Sequence, residues 1–270
     1  MPNPQPIYRP DGLTPAYHLH YTWTGWMDAG FDQASSDTEM WDVLKCRWES
    51  DSLRLLERTA SGDMIQLCFS CPPQVTPVLV AQRAKGRLQH ALRTTGKPAD
   101  FSRKVSVRSV GENTTETVEW YIANQVERAP HLDARFRAEL ERLIVIDDTV
   151  DLTVPTASLS GRYWYNLHMV LVGAERATMG SLATLQMLRD TTLRIGQQKG
   201  YRIAALSVMP DHLHVALRGA VEQSPQDIAL AMMNNLSYVV GQKAIWRNGY
   251  YVGTFSEYDM GAIRQRVKAS

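Results

Sequence analysis

Pro210-Asp211-His212-Leu213-His214-Val215-Ala216-Leu217 sets two histidines around one leucine, in an apolar run that continues from Ala205-Leu206-Ser207-Val208-Met209. Such a run predicts a strand, on which alternate side chains share a face. His212 and His214 then stand side by side, about 6–7 Å apart at the backbone, and each can offer an imidazole nitrogen to one divalent metal. Two ligands do not complete a site. Taken alone, such a pair more often reads as two histidines of a half-buried strand, so a metal site needs its missing donors from elsewhere in the chain.

The same stretch has a counterpart 148 positions earlier: Asp63-Met64-Ile65-Gln66-Leu67 falls on Asp211-His212-Leu213-His214-Val215. At that offset Tyr17-His18-Leu19-His20 through Gly25 lines up with Tyr165-Asn166-Leu167-His168 through Gly173, and Thr76-Pro77 with Ser224-Pro225. After a three-residue slip, Val107–Glu112 falls on Val252–Glu257. Four matches in order indicate two copies of one domain of roughly 120 residues. Each copy predicts a strand (16–24, 162–172), a helix (39–58, 179–198) and a central strand (64–70, 203–217). A helix opening on Thr/Ser-Pro follows (77–94, 225–242), then a short strand and a last helix. This order predicts an α/β (α+β) fold of two ferredoxin-like sandwiches, each an antiparallel sheet with helices on one face. The expected division is 1–125, a linker at 126–160 with a charged helical piece from His131 to Leu143, and 161–270.

Composition narrows the class. With 44% hydrophobic and 21% charged residues the chain reads as globular, and no apolar run approaches the ~20 residues of a membrane span. Met1-Pro2-Asn3-Pro4-Gln5-Pro6 lacks the charged head and apolar core of a secretory signal. Three cysteines argue against a disulfide framework and for a reducing cytoplasm. The net charge of +1 decides nothing, but its distribution is uneven. Arg83, Lys85, Arg87, Arg93, Lys97, Arg103, Lys104 and Arg108 face a single acid, Asp100. A charge run is commonly a solvated helix face; one this lopsided also suits a phosphate backbone. Arg264, Arg266 and Lys268 form a second cluster.

Val118-Glu119-Trp120-Tyr121-Ile122-Ala123-Asn124-Gln125, preceded by Val110-Gly111-Glu112-Asn113-Thr114, carries the remaining chemistry. Tyr121 and Gln125 are four apart and on a helix share a face, one turn from each other. Together with the His-Leu-His strand, this stretch resembles the single-tyrosine HUH transposases of bacterial insertion sequences, once per half. The resemblance implies ferredoxin-like proteins that act as dimers on single-stranded DNA. In them a His pair on a central strand and a Gln on the last helix hold a divalent metal, while a Tyr one turn before that Gln attacks the DNA backbone.

The halves differ in a complementary way. The first has Tyr121 and Gln125 but Met64 and Gln66 at the histidine positions; the second has His212 and His214 but Arg266 and Ser270 at those of the tyrosine and glutamine. The resemblance therefore implies a fused pseudo-dimer with one composite site, in which Tyr121 is the nucleophile and His212, His214 and Gln125 hold Mg²⁺ or Mn²⁺. It further implies a 5′-phosphotyrosine intermediate and a DNA-hairpin ligand, while the uneven charge puts Arg83, Lys85, Arg87, Arg93, Arg103, Lys104 and Arg108 on the DNA. The rival readings are an inactive DNA-hairpin-binding relic, a domesticated end-processing nickase, and a hydrolase in which Tyr121 is incidental. His18-Leu19-His20 lies where the family does not bind metal and reads as structural, flanked by aromatics that pack or stack on bases. Cys68 and Cys71 read as free thiols, and Cys46 as core.

Overall fold

A computed structural model of the chain describes residues 5–27, 38–94, 100–130, 132–174, 179–241 and 244–257. The first half runs β1 (Ala16–His18), β2 (His20–Met27), α1 (Thr38–Ser50), β3 (Arg54–Ser61), β4 (Met64–Ser70), α2 (Pro77–Thr94), β5 (Phe101–Val110) and α3 (Thr115–Ala123). The connecting stretch supplies α4 (Ala134–Glu141), β6 (Val145–Ile146) and β7 (Thr156–Ala157). The second half runs β8 (Gly161–Trp164), β9 (Asn166–Val172), α5 (Leu182–Lys199), β10 (Arg202–Val208), β11 (His212–Arg218), α6 (Pro225–Val239) and β12 (Tyr251–Thr254). The second half's predicted last helix, with Arg264, Arg266, Lys268 and Ser270, lies outside the described residues, as do Lys97 and His131. None of the described helices is long and apolar enough to cross a membrane.

Two six-stranded sheets result, ordered β1-β12-β9-β11-β10-β6 and β7-β8-β5-β2-β4-β3. Leaving aside the short edge strands β6 and β7, each half contributes a β-α-β-β-α-β unit whose strands lie fourth-first-third-second. Each sheet is then extended by a short strand from the other half: β1 pairs in parallel with β12, and β8 in parallel with β5. The crossings occur at Leu19 and Tyr165, which are both fully buried. The sheets are therefore mixed at these edges rather than wholly antiparallel.

The strands expected over 16–24 and 162–172 each split in two at these crossings, and two further predicted elements differ. The helix expected over 39–58 ends at Ser50, because Ser52 takes a left-handed φ of 65° and turns the chain into β3. The strand expected over 203–217 is a hairpin: Pro210 and Asp211 form its turn, closed by the Met209 N–H donating to the His212 carbonyl at 2.8 Å. The corresponding turn of the first half, Gly62-Asp63, joins Ser61 to Met64, so Met64 does occupy the place of His212. The first strands align differently from the sequence match. Trp26 pairs with Met64 and Val172 with His212, which sets Thr22, not His20, at the place of His168.

Helix ends follow local chemistry. Ser224 caps α6 in a reciprocal box with Asp227, with Pro225 at its first position. The Thr76 hydroxyl accepts from the Leu79 N–H at 3.1 Å at the start of α2. The buried stripe of α1 is Met40, Trp41, Leu44 and Trp48. Cys46 falls on the opposite side of that helix and is exposed, not core; Cys68 and Cys71 are buried and form no disulfide. Tyr21 and Trp23 are core residues and Tyr17 is exposed.

The seam between the sheets determines where α3 goes. The Ser109 hydroxyl donates to the Phe255 carbonyl at 2.9 Å, and the His20 N–H donates to the Thr254 hydroxyl at 2.9 Å. At Gly111 an added Cβ would overlap the Thr254 carbonyl oxygen, so only glycine permits this approach. The Thr115 N–H then donates to the Ser256 carbonyl at 2.8 Å, which ties the first turn of α3 to the end of β12. Val118 and Ile122 of α3 consequently bury against Ala204, Ala205, Ala216 and Phe255 of the second half. The alanines leave room for a helix to lie close on the sheet. Leu213, Val215 and Leu217 pack into the main core from the other face of β11. This sheet is thus covered on both faces, where helices on one face were expected.

Candidate functional site

Alternation along β11 turns His212 and His214 toward α3 and the three neighbouring apolar side chains, Leu213, Val215 and Leu217, away from it. The two imidazoles meet edge to face with centroids 4.9 Å apart. Tyr121 reaches this face from α3, its ring 5.3 Å from that of His214. The helix stops at Ala123, yet Gln125 keeps an α-region backbone (φ −62°, ψ −37°) and remains one turn beyond Tyr121. Its amide nitrogen donates to the Tyr121 carbonyl at 2.9 Å, and its Oε1 lies 3.3 Å from His212 Nε2. All four residues singled out by the sequence converge.

Three further residues belong to the cluster. Asp211 Oδ1 lies 2.6 Å from His212 Nδ1, so the carboxylate accepts the Nδ1 proton. The signal was available, since Asp211 adjoins the His-Leu-His stretch. The Arg128 guanidinium sits 4.4 Å from the centre of the Tyr121 ring, one turn past Gln125. His168 on β9 approaches His214, with Nε2 to Nδ1 at 3.0 Å; no spacing or motif in the chain points to it.

Burial sets the charge of the histidines. It pushes His214 down to about 2, helped by His168, His212 and Arg128 close by, and pushes His168 down to about 4. Both are neutral at pH 7, the form that binds a metal.

Among the described residues no three His, Cys, Asp or Glu side chains converge to hold a metal. Any ion here depends on the carboxamide of Gln125 as third donor. The local hydrogen bonding fits that role. Gln125 presents its oxygen to His212 because its nitrogen is spent on the Tyr121 carbonyl. His212 presents an unprotonated Nε2 in its neutral form, because Asp211 holds the proton on Nδ1. In that neutral form two lone pairs face each other 3.3 Å apart with no proton between them. That is unfavourable alone, but it matches the roughly 3 Å between neighbouring ligands of an octahedral cation with bonds near 2.1 Å.

The basic run behaves unevenly. Arg87 pairs with Asp51 through two bonds of 2.7 and 2.9 Å, and Arg83 donates to the Asp51 carbonyl. Lys85 donates to the Ser102 carbonyl. Arg108 pairs with Glu257 at 3.3 Å and stacks on Trp164. Arg93, Arg103 and Lys104 are exposed. His18 and His20 contact each other at the seam, centroids 4.3 Å apart, and His18 pairs with Gly253, which in turn pairs with His168.

Residues 162–269 match the family model described as "Transposase IS200 like". Among solved structures, the chain resembles a candidate transposase from Deinococcus radiodurans R1, with 22% identity over 38% of this chain and 88% of that one and a TM-score of 0.32. It also resembles the REP-associated tyrosine transposase bound to a REP hairpin, with 16% identity over 38% of this chain and 62% of that one and a TM-score of 0.32. No curated protein matches.

Proposed function

We propose, starting from the match of residues 162–269 to the IS200-like transposase family model, that the whole chain is a single-stranded-DNA endonuclease and strand transferase with one active site built from both halves. In this reading the two β-α-β-β-α-β units are ferredoxin-like copies of one domain, fused into a pseudo-dimer. The first supplies Tyr121 and Gln125, and the second supplies His212 and His214. The observation that carries it is the contact between Gln125 Oε1 and His212 Nε2 at 3.3 Å, with the Tyr121 ring beside His214.

His212, His214 and Gln125 would hold Mg²⁺ or Mn²⁺. When bound, the ion polarises the phosphoryl oxygens and neutralises developing charge. The protein's own groups do the rest. Gln125, through its bond to the Tyr121 carbonyl, fixes the last turn of α3 and hence the height of the phenol over the sheet. Arg128 covers the Tyr121 ring and supplies positive charge where a phosphate must approach. The Tyr121 oxygen attacks phosphorus in line, a new O–P bond forms, and the phosphorus–O3′ bond breaks. The phenolic proton passes to water, the departing O3′ takes up a proton from water, and the products are a 5′-phosphotyrosine and a free 3′-hydroxyl. Because the phosphodiester energy is retained, a second 3′-hydroxyl can reverse the step and join strands.

The proposed ligand is single-stranded DNA with a hairpin, as in the REP-hairpin complex of the similar transposase. The exposed Arg93, Arg103 and Lys104 are free to meet its backbone, whereas Arg83, Lys85, Arg87 and Arg108 first have to release internal partners. The test is incubation with a labelled single-stranded hairpin library and Mn²⁺, followed by denaturing electrophoresis. An adduct in wild type, lost in Tyr121→Phe and in His212→Ala/His214→Ala, is expected. Cleavage that persists in Tyr121→Phe would favour a hydrolase, and binding without cleavage would favour a relic.

A further inference from the structure

His168 lies on the metal-facing side of β9, paired with Ala216 and diagonal to His214. Its ring stacks on that of His214 at 22° with centroids 5.3 Å apart. The 3.0 Å contact between His168 Nε2 and His214 Nδ1 joins two neutral rings, so one nitrogen donates and the other accepts. Two arrangements satisfy this. If His168 donates, the single proton of His214 sits on Nε2, and that nitrogen cannot bind a cation. If His214 donates from Nδ1, its Nε2 carries a lone pair.

The metal-site reading selects the second. His214 is 6% exposed, and among the described residues its Nε2 has no hydrogen-bond partner. A proton there would close that nitrogen to a cation, whereas a lone pair would join the unprotonated His212 Nε2 and the Gln125 oxygen as a third donor. We infer that His168 is the positioning residue of His214, accepting its Nδ1 proton and fixing the tautomer whose Nε2 is open to a divalent cation. The inference rests on the metal-site reading above. It gives the two histidines different supports: a carboxylate for His212 and a neutral imidazole for His214. Gly253, which pairs with His168 from β12, leaves room on that flank for the Tyr251 ring, whose centroid lies 6.0 Å from that of His168.

The test uses metal-free, ¹⁵N-labelled protein at pH 7.5 and long-range ¹H–¹⁵N correlation of the histidine rings. Wild type is expected to show His214 protonated on Nδ1. His168→Phe, which keeps a ring but removes the acceptor, is expected to move that proton to Nε2. His168→Gln, which offers an oxygen at similar reach, is expected to retain it on Nδ1. Mn²⁺ affinity should follow, falling about 10–100-fold in His168→Phe and largely recovering in His168→Gln. A wild-type His214 protonated on Nε2, or a tautomer unmoved by His168→Phe, overturns the inference. Should His168→Phe not fold, the wild-type and His168→Gln spectra decide it. The tautomer is read without metal, so a wild type that fails to bind Mn²⁺ overturns the site reading separately.

Discussion

Gln125→Leu isolates the third donor. Leucine conserves the shape of a side chain that is 5% exposed and removes both of its polar contacts. Losing the bond to the Tyr121 carbonyl costs about 1 kcal/mol. Removing an acceptor that faces the His212 lone pair returns part of that, and apolar burial returns more. Metal-free stability should therefore change by less than about 1 kcal/mol. The metal-bound state should change far more. Loss of an outer-shell partner weakens a metal site about 10–100-fold, and loss of a ligand should do at least as much. At a Mn²⁺ concentration about 100 times the wild-type Kd, mass action stabilises wild type by about 2.7 kcal/mol. A variant binding about 100-fold more weakly gains about 0.4 kcal/mol at the same concentration. The difference corresponds to roughly 5 to 9 °C in Tm for a chain of this size. The assay is thermal unfolding with and without Mn²⁺, with the free ion followed by electron paramagnetic resonance. Equal Mn²⁺-induced shifts in wild type and Gln125→Leu would refute the assignment of Gln125 as a ligand.

Other outcomes follow from the same geometry. His168 and His214 are neutral and buried, so the unfolded chain takes up protons on them first, and metal-free stability should fall as pH drops from about 6.5 toward 4. For His168 the loss is bounded by about 3 kcal/mol, and urea midpoints at pH 7.5, 6 and 5 would reveal it; a flat profile contradicts the burial argument. Gly111→Ala should destabilise by about 3 kcal/mol, the upper range for overpacking, because backbone meets backbone at the Thr254 carbonyl; an unchanged urea midpoint contradicts the close approach. Arg103→Glu with Lys104→Glu should weaken binding to single-stranded DNA and lower its salt slope by roughly 0.7 for each phosphate that is no longer neutralised. Arg87→Ala, whose guanidinium is already held by Asp51, should change that slope less.

Much of this is legible in the chain because strand alternation and helical spacing are local. His212 and His214 share a face wherever β11 lies, and Tyr121 and Gln125 share one wherever α3 lies. What brings the two faces together is not local. It depends on β1 and β8 crossing between sheets at Leu19 and Tyr165, and on the close approach at Gly111, none of which leaves a periodic signature. The repeat shows through short identities, and one of them misleads. Tyr17–Gly25 and Tyr165–Gly173 match in letters, but the ladder sets Thr22 at the place of His168. An even slip preserves the face, so the error is invisible to pattern and hides His168 among structural residues. Cys46 is misplaced for a simpler reason: it falls off the stripe defined by Trp41, Leu44 and Trp48. The basic run overstates the DNA surface because a charge count cannot see Asp51 or Glu257.

The central claim is a single site assembled within one chain, and complementation tests it most directly. Tyr121→Phe and His212→Ala/His214→Ala proteins would be assayed for the covalent DNA adduct separately, then mixed, beside wild type. The account predicts an adduct in wild type, none in either variant, and none in the mixture, because α3 docks on the sheet of its own chain. Restoration of the adduct on mixing would show that the nucleophile and the histidine pair meet between chains, and would contradict it.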